Sequence, residues 1–423
     1  AMVLSHAHID HCGNIPTLAK AGYRQAIHAT SATADLLPIM LRDSAHIQEG
    51  DANYLNQKSN RRGQPPVVPL YTLADAEAAL KLIRPHEYNE PLPLPGGVVV
   101  THVDAGHILG AALALIEIPY NGGDFLRLAL AFDLGRRNLP LLHDPVQLQD
   151  IDLLICETTY GDRLHDNALN AREELRAAIV RALGRNGKVM IPTFALGRAQ
   201  EIVYHLVQLR DRGEIPSVPV YVDSPMAHAI AGVFEKNYEY LDAESNALRG
   251  HLGSVVAPAW LTFTESVEES KAITASKAPS IVIAASGMCE HGRILHHLKH
   301  GVENEKNLIL LVGYQAENTL GRRIQNGEKK VRIFGDEFAL KAEVQTLNAF
   351  SAHADRLELF RYVRDAKPKK VFLVHGEQSQ RTSFAQLLRD QLHLEVDLPA
   401  NGDVVDLSEY LKTPSQPPSS SQS

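Results

Sequence analysis

The sequence predicts an α/β protein, and two observations carry that expectation. Short apolar runs alternate with segments of helical periodicity along the chain, the pattern of layered strands and helices. In the middle of the chain, Lys188–Ile191, Val218–Val222 and Ile281–Ala285 are short apolar runs bounded by turn residues, with helix-like segments between them. That arrangement predicts a parallel sheet wrapped by helices.

Taken in order, Met2-Val3-Leu4 reads as the end of a buried strand, and Gly13 and Pro16 mark a loop turning into a helix. Residues 31–60 and 72–84 read as helices; Val98–Val103, Ala112–Ile118 and Leu126–Ala131 read as strands. In Ala171–Leu183, the apolar positions Leu175, Ile179, Val180 and Leu183 fall at helical spacing, and Arg185-Asn186-Gly187 supplies the stop. Ala199–Leu209 and Met226–Tyr240 read as the helices between the buried strands. The polar, low-complexity end of the chain, residues 411–423, is predicted to be a disordered tail.

Composition sets the bounds. A length of 423 residues allows two to three domains, and 44% hydrophobic residues suffice for a core. No apolar run is long enough to span a membrane. The 3 cysteines, Cys12, Cys156 and Cys289, are widely spaced; they suggest no disulfide framework and fit a cytoplasmic protein. Cys12 and Cys156 read as small buried side chains. The net charge of −8 weighs mildly against a nucleic-acid partner. However, part of the acid belongs to a candidate metal site, and basic clusters stand at Arg61-Arg62, Arg322-Arg323, Lys329-Lys330-Val331-Arg332 and Lys367–Lys370.

The most informative segment is His6-Ala7-His8-Ile9-Asp10-His11. Imidazole and carboxylate are the donors of catalytic zinc sites. In an extended segment His6 and His8 face the same way, so they can bind one ion together. Asp10 and His11 are consecutive and point elsewhere, toward a second ion beside the first.

That run resembles the zinc motif of the metallo-β-lactamase superfamily, and further motifs follow it. Asp104-Ala105-Gly106-His107 resembles the strand-end site of the next ligand, His107, and Ala131-Phe132-Asp133-Leu134-Gly135-Arg136 that of the bridging carboxylate, Asp133. Cys156-Glu157-Thr158-Thr159-Tyr160-Gly161-Asp162, Phe350-Ser351-Ala352-His353-Ala354-Asp355 and Val371-Phe372-Leu373-Val374-His375-Gly376-Glu377 resemble the three extra motifs of the β-CASP nucleases. Pro192–Arg198, Asp223-Ser224-Pro225-Met226-Ala227, Ser286-Gly287-Met288 and Gly313–Gly321 match as well, so the resemblance covers roughly residues 1–410.

The resemblance implies a metallo-β-lactamase αββα sandwich formed by residues 1–165 and 343–410, interrupted at 166–342 by an inserted parallel-sheet β-CASP cap. Family members carry strands ahead of the zinc motif, so an N-terminally truncated sequence is expected. The implied function is a zinc-dependent ribonuclease with RNA as partner and two Zn2+ per chain. One ion would take His6, His8 and His107, and the other Asp10, His11 and His375, with Asp133 bridging. Manganese is the alternative metal. His353 would serve the leaving oxygen, with Glu157 orienting it; Asp355 is a rival carboxylate for that task. Arg198, Ser224, Arg293, His296 and His297 are candidate phosphate contacts. A homodimer is possible by the same resemblance. The alternatives are a DNA nuclease of the superfamily, whose last motif usually lacks the histidine present here as His375, and an inactive scaffold subunit.

Overall fold

The computed structural model describes residues 1–58, 65–120, 123–165 and 170–412. Arg61, Arg62 and the tail beyond Lys412 lie outside them.

Two sheets carry the catalytic half. A small parallel sheet joins Met2–Val3, Ile27–Thr30 and Ile83–His86. Of the expected buried strand end, Met2 and Val3 are half-buried and Leu4 is buried. A seven-stranded sheet runs in the order Glu395–Asp397, Lys370–Leu373, Leu153–Cys156, Asp124–Ala131, Ala112–Tyr120, Val99–Asp104, Pro91–Pro93. Its members before and after the middle region are direct neighbours: Leu153–Cys156 pairs in parallel with Lys370–Leu373 on one side and with Asp124–Ala131 on the other. The middle region is therefore an insertion into one sheet-forming domain.

The insertion builds its own six-stranded sheet, Leu261–Phe263, Val220–Asp223, Ile281–Ala284, Val189–Pro192, Leu308–Leu311, Glu343–Thr346, every neighbouring pair parallel. Val189–Pro192, Ile281–Ala284 and Leu308–Leu311 are buried at every position. Helices cover both faces of such a sheet, so its strands are continuously apolar rather than alternating. Glu343–Thr346 belongs to this sheet, beyond the boundary expected at 342. It is polar and half-buried, as an edge strand is, and carries no apolar signature. Lys330–Ile333 and Asp336–Ala339 form a separate antiparallel hairpin.

Two helices end earlier than the sequence suggests. The expected helix 72–84 is Leu73–Leu80, started by a capping box between Thr72 and Asp75. Residues Ile83–His86 form a strand instead, because Pro85 has no amide hydrogen to continue a helix and biases Arg84 to extended geometry. The helix expected over Met226–Tyr240 runs from Pro225 to Lys236, and Tyr238–Tyr240 is a separate 3-10 turn.

Leu310 lies in the strand next to the polar edge of the inserted sheet and is fully buried. Leu310→Ala should cost about 2–5 kcal/mol, read as a lower urea midpoint; an unchanged midpoint would mean that this strand is not packed on both faces.

Candidate metal centre

The seven expected ligands come from segments that follow strand ends, and the structure brings them together. His6 and His8 follow the Met2–Val3 strand. Asp10 and His11 lie in a helical turn, Ile9–Cys12. His8 stands at its N-cap and accepts the Cys12 amide on its carbonyl. The turn swings His11 back toward the first ligands. His107 follows Val99–Asp104, Asp133 follows Asp124–Ala131, and His375 follows Lys370–Leu373. Asp133 and His375 both adopt left-handed backbone, φ 44 and φ 45, unusual for residues with side chains.

Ligand atoms converge in two adjoining groups, His6, His8, His107, Asp133 and Asp10, His11, His375, each with its atoms within 4.8 Å of one another. In the first group His6 Nε2 and His107 Nε2 each lie 3.2 Å from His8 Nδ1. Asp133 Oδ2 lies 3.2 Å from His6 Nε2 and 3.3 Å from His107 Nε2. Donors about 2.0–2.1 Å from a tetrahedral zinc are separated by roughly 3.3–3.4 Å. The spacing therefore fits a zinc ion. Burial pulls the pKa of His6 and His107 down, and that of His8 to about 3, so these rings are neutral with lone pairs free for a metal.

The second group is more open. His11 Nε2 is 3.3 Å from Asp133 Oδ2, and His375 Nδ1 is 3.5 Å from Asp133 Oδ1. Asp10 Oδ2 stands 3.7 Å from His11 Nε2 and 3.6 Å from His375 Nε2. His11 Nε2 and Asp133 Oδ1 are buried without a hydrogen-bond partner among the described residues, which is where a cation would satisfy them. Burial pushes against ionising Asp133, but the close His11 and His6 rings, with His107 and His353 nearby, outweigh it and hold its carboxyl far below the usual range.

Glu157 and His353 meet beside this cluster. His353 Nδ1 lies 3.0 and 3.1 Å from the two Glu157 oxygens. The Glu157 side chain is fully buried and accepts the Leu134 and Thr159 amides at 2.6 and 3.2 Å, which fixes its aim. Burial opposes charging His353, but the Glu157 carboxylate prevails and raises its pKa to about 9. The His353 ring lies 4.6 Å from that of His107, centroid to centroid. Asp355 is not its partner: it caps helix Arg356–Ala366 through the Leu357 and Glu358 amides and accepts the His165 amide.

The cysteines have a structural role. Burial raises the Cys12 thiol to about 12, and its sulfur donates to the Ala7 carbonyl. Cys156 is fully buried.

The five expected phosphate contacts are dispersed across the insertion, mostly paired within it. Arg198 forms an ion pair with Glu201. Ser224 caps helix Pro225–Lys236. His296 is exposed, with its ring against Phe334. Arg293 and His297 meet around Asp223: Arg293 donates to Asp223 Oδ1 at 2.8 Å, and His297 Nε2 lies 2.6 Å from Oδ2. Thr264 and Ser270 also donate to this buried carboxylate. Sequence reasoning did not single out Asp223; its signal was a carboxylate directly after an apolar run, as at Asp133.

Loop packing fixes the ligands. Gly135 donates to the Ala105 carbonyl at 2.8 Å, and a Cβ on it would sit 1.8 Å from the Gly106 carbonyl oxygen. The Asp133 loop thus lies directly on the His107 loop.

A mixed α/β fold with an inserted parallel-sheet domain and a histidine–aspartate metal cluster defines a metal-dependent hydrolase. Comparison with known proteins gives the family. Residues 199–324 match the Beta-Casp domain, and residues 338–399 match the Zn-dependent metallo-hydrolase RNA specificity domain. The chain is 37% identical to Ribonuclease TTHA0252 of Thermus thermophilus, over 92% of this chain and 84% of that protein. It is 30% identical to the RNase J-like protein of Methanocaldococcus jannaschii, over 96% of this chain and 88% of that one. It is 33% identical to transcription termination factor FttA of the same organism, over 96% of this chain but only 63% of the factor. The chain belongs to the β-CASP family of metallo-β-lactamase-fold ribonucleases. It is a hydrolytic nuclease of a zinc-dependent class. No described helix is long and apolar enough to cross a membrane.

Gly135→Ala should push the two ligand loops apart. Zinc affinity, measured by chelator competition, should fall at least about ten-fold; unchanged affinity would mean that the loops adjust without moving the ligands.

Proposed function

We propose that the chain hydrolyses RNA phosphodiester bonds with two zinc ions, leaving 5′-phosphate and 3′-hydroxyl ends. His6, His8 and His107 would hold one ion, Asp10, His11 and His375 the other, and Asp133 would bridge them. The observation that carries this reading is the position of the Asp133 carboxylate: Oδ2 lies 3.2–3.3 Å from nitrogens of His6, His107 and His11, and Oδ1 faces His375. One carboxylate between two histidine groups is the arrangement of a paired-metal centre. Bound zinc would supply Lewis acidity at the phosphoryl oxygens and lower the pKa of the attacking water from near 16 to about 7.

The remaining steps belong to the chain. The buried histidines stay neutral and orient the centre. Asp133 offsets its positive charge, and Asp10, 61% exposed, lines its open side. His353 donates a proton to the departing 3′-oxygen as the phosphorus–oxygen bond breaks. Glu157 holds His353 through Nδ1, which keeps the other ring nitrogen free for the substrate. This division of labour makes His353 dispensable for metal binding and necessary for turnover.

His353→Ala should abolish cleavage of a ribo-oligonucleotide while two zinc ions per chain remain by elemental analysis. Cleavage at the native rate would remove the assignment, and a single zinc in the native chain would remove the paired centre. Glu157→Gln takes away the charge that raises the His353 pKa. The proton donor is then lost at lower pH, so the alkaline limb of kcat should move down by about one unit or more. An unmoved limb would detach Glu157 from His353. Stripping the metal with a chelator should stop cleavage, and added zinc should restore it.

A further inference from the structure

We propose that Phe194 is a stacking platform for a base of the RNA substrate, set on the inserted domain at the mouth of the metal centre. The inference rests on the RNA-hydrolysis reading and adds to it a residue that positions the substrate.

The argument begins with sheet topology. In an open parallel sheet, ligands bind outside the carboxyl ends of the strands, where the chain order reverses. The inserted sheet has that point at Val189–Pro192. The next two strands, Val220–Asp223 and Leu261–Phe263, lie on one side of it; the chain then returns to Ile281–Ala284 and crosses over to Leu308–Leu311 on the other. Phe194 follows Pro192 by two residues and so stands at this crevice.

The same edge of the sheet faces the metal ligands. A Cβ on Gly197 would lie 3.1 Å from Ile108, the neighbour of His107. Tyr314, after Leu308–Leu311, donates to Glu377 at 3.4 Å, two residues beyond His375. The Arg198 guanidinium lies 6.0 Å from the Phe350 ring, three residues before His353. Two connections at the carboxyl ends, one after Val189–Pro192 and one after Leu308–Leu311, thus reach the segments carrying His107, His353 and His375.

At this place the Phe194 ring turns outward. Its neighbours Thr193, Ala195 and Leu196 are buried, at 2%, 8% and 3% exposure, while Phe194 is 46% exposed. Single exposed apolar side chains are common; this one is held by its surroundings. A Cβ on Gly287 would come within 3.0 Å of two Phe194 ring carbons, so the glycine leaves one edge of the ring room to pack. The Phe194 carbonyl accepts the Ala199 amide, which anchors the backbone beneath it. An aromatic face fixed beside a phosphodiester-cleaving centre suits any base, because every base has a π-face, and a sequence-tolerant grip is what such a platform provides.

The test uses zinc-loaded full-length protein and short ribo-oligonucleotides carrying 2-aminopurine at successive positions. In the His353→Ala background the RNA stays intact. There, native Phe194 should quench 2-aminopurine at one position near the scissile phosphate. Phe194→Ala should abolish that quench and raise Kd about ten-fold. Phe194→Trp should keep both, and Phe194→Leu, apolar but without a π-face, should lose the quench. With His353 present, Phe194→Ala should raise KM about ten-fold and leave kcat within about two-fold. An abasic site at the quenched position should erase the difference between native and Phe194→Ala protein. Equal quench and Kd in Phe194→Ala, or no oligonucleotide binding at all, would overturn the platform. Quenching that depends on Phe194 without any cleavage by the native chain would overturn the hydrolysis reading alone.

Discussion

One carboxylate organises the site. Asp133 reaches nitrogens of His6, His11, His107 and His375, and those rings arrive from three separate segments of the chain. Packing that many imidazoles together is costly unless they stay neutral and share a charge of opposite sign. Burial supplies the first condition, as the depressed His6, His8 and His107 pKa values attest. Asp133, held ionised by the rings around it, supplies the second. Bound metal would complete the balance.

The next layer is backbone. The Gly135 amide reaches the Ala105 carbonyl, the Ala354 amide reaches the Leu134 carbonyl at 2.7 Å, and the Glu157 amide reaches the Ala131 carbonyl at 3.0 Å. The loops that carry His107, Asp133, Glu157 and His353 are therefore fastened to one another before any side chain is considered. Positioning of this kind, by rigid strand ends and shared hydrogen bonds, fixes ligand geometry ahead of metal binding.

Much of this was legible in the sequence, for identifiable reasons. His6 and His8 are two residues apart in extended chain, and the two-residue period of a strand puts them on one face. The strands Val189–Pro192 and Ile281–Ala284 announced themselves because burial on both faces leaves no polar residue in them. Asp133 and His375 were visible only through the family motifs; an aspartate or histidine after an apolar run is ambiguous until its partners are known. Glu343–Thr346 escaped notice because an edge strand carries no apolar signature. The phosphate contacts were the weakest reading, since a sequence shows an arginine but not the neighbour it is already paired with, Glu201 for Arg198 and Asp223 for Arg293.

The interleaving of the two sheets has a consequence for how the molecule is made. Leu153–Cys156 finds one of its neighbours only in Lys370–Leu373, and Thr158 donates to Val374 across 216 residues of sequence. Until those late residues leave the ribosome, the nascent catalytic half presents a bare, apolar strand edge, the kind of surface on which chains adhere to one another. The inserted sheet has no such debt: its strands pair among themselves and can close first. Synthesis thus favours a nascent chain in which the lid is finished before the vessel it covers.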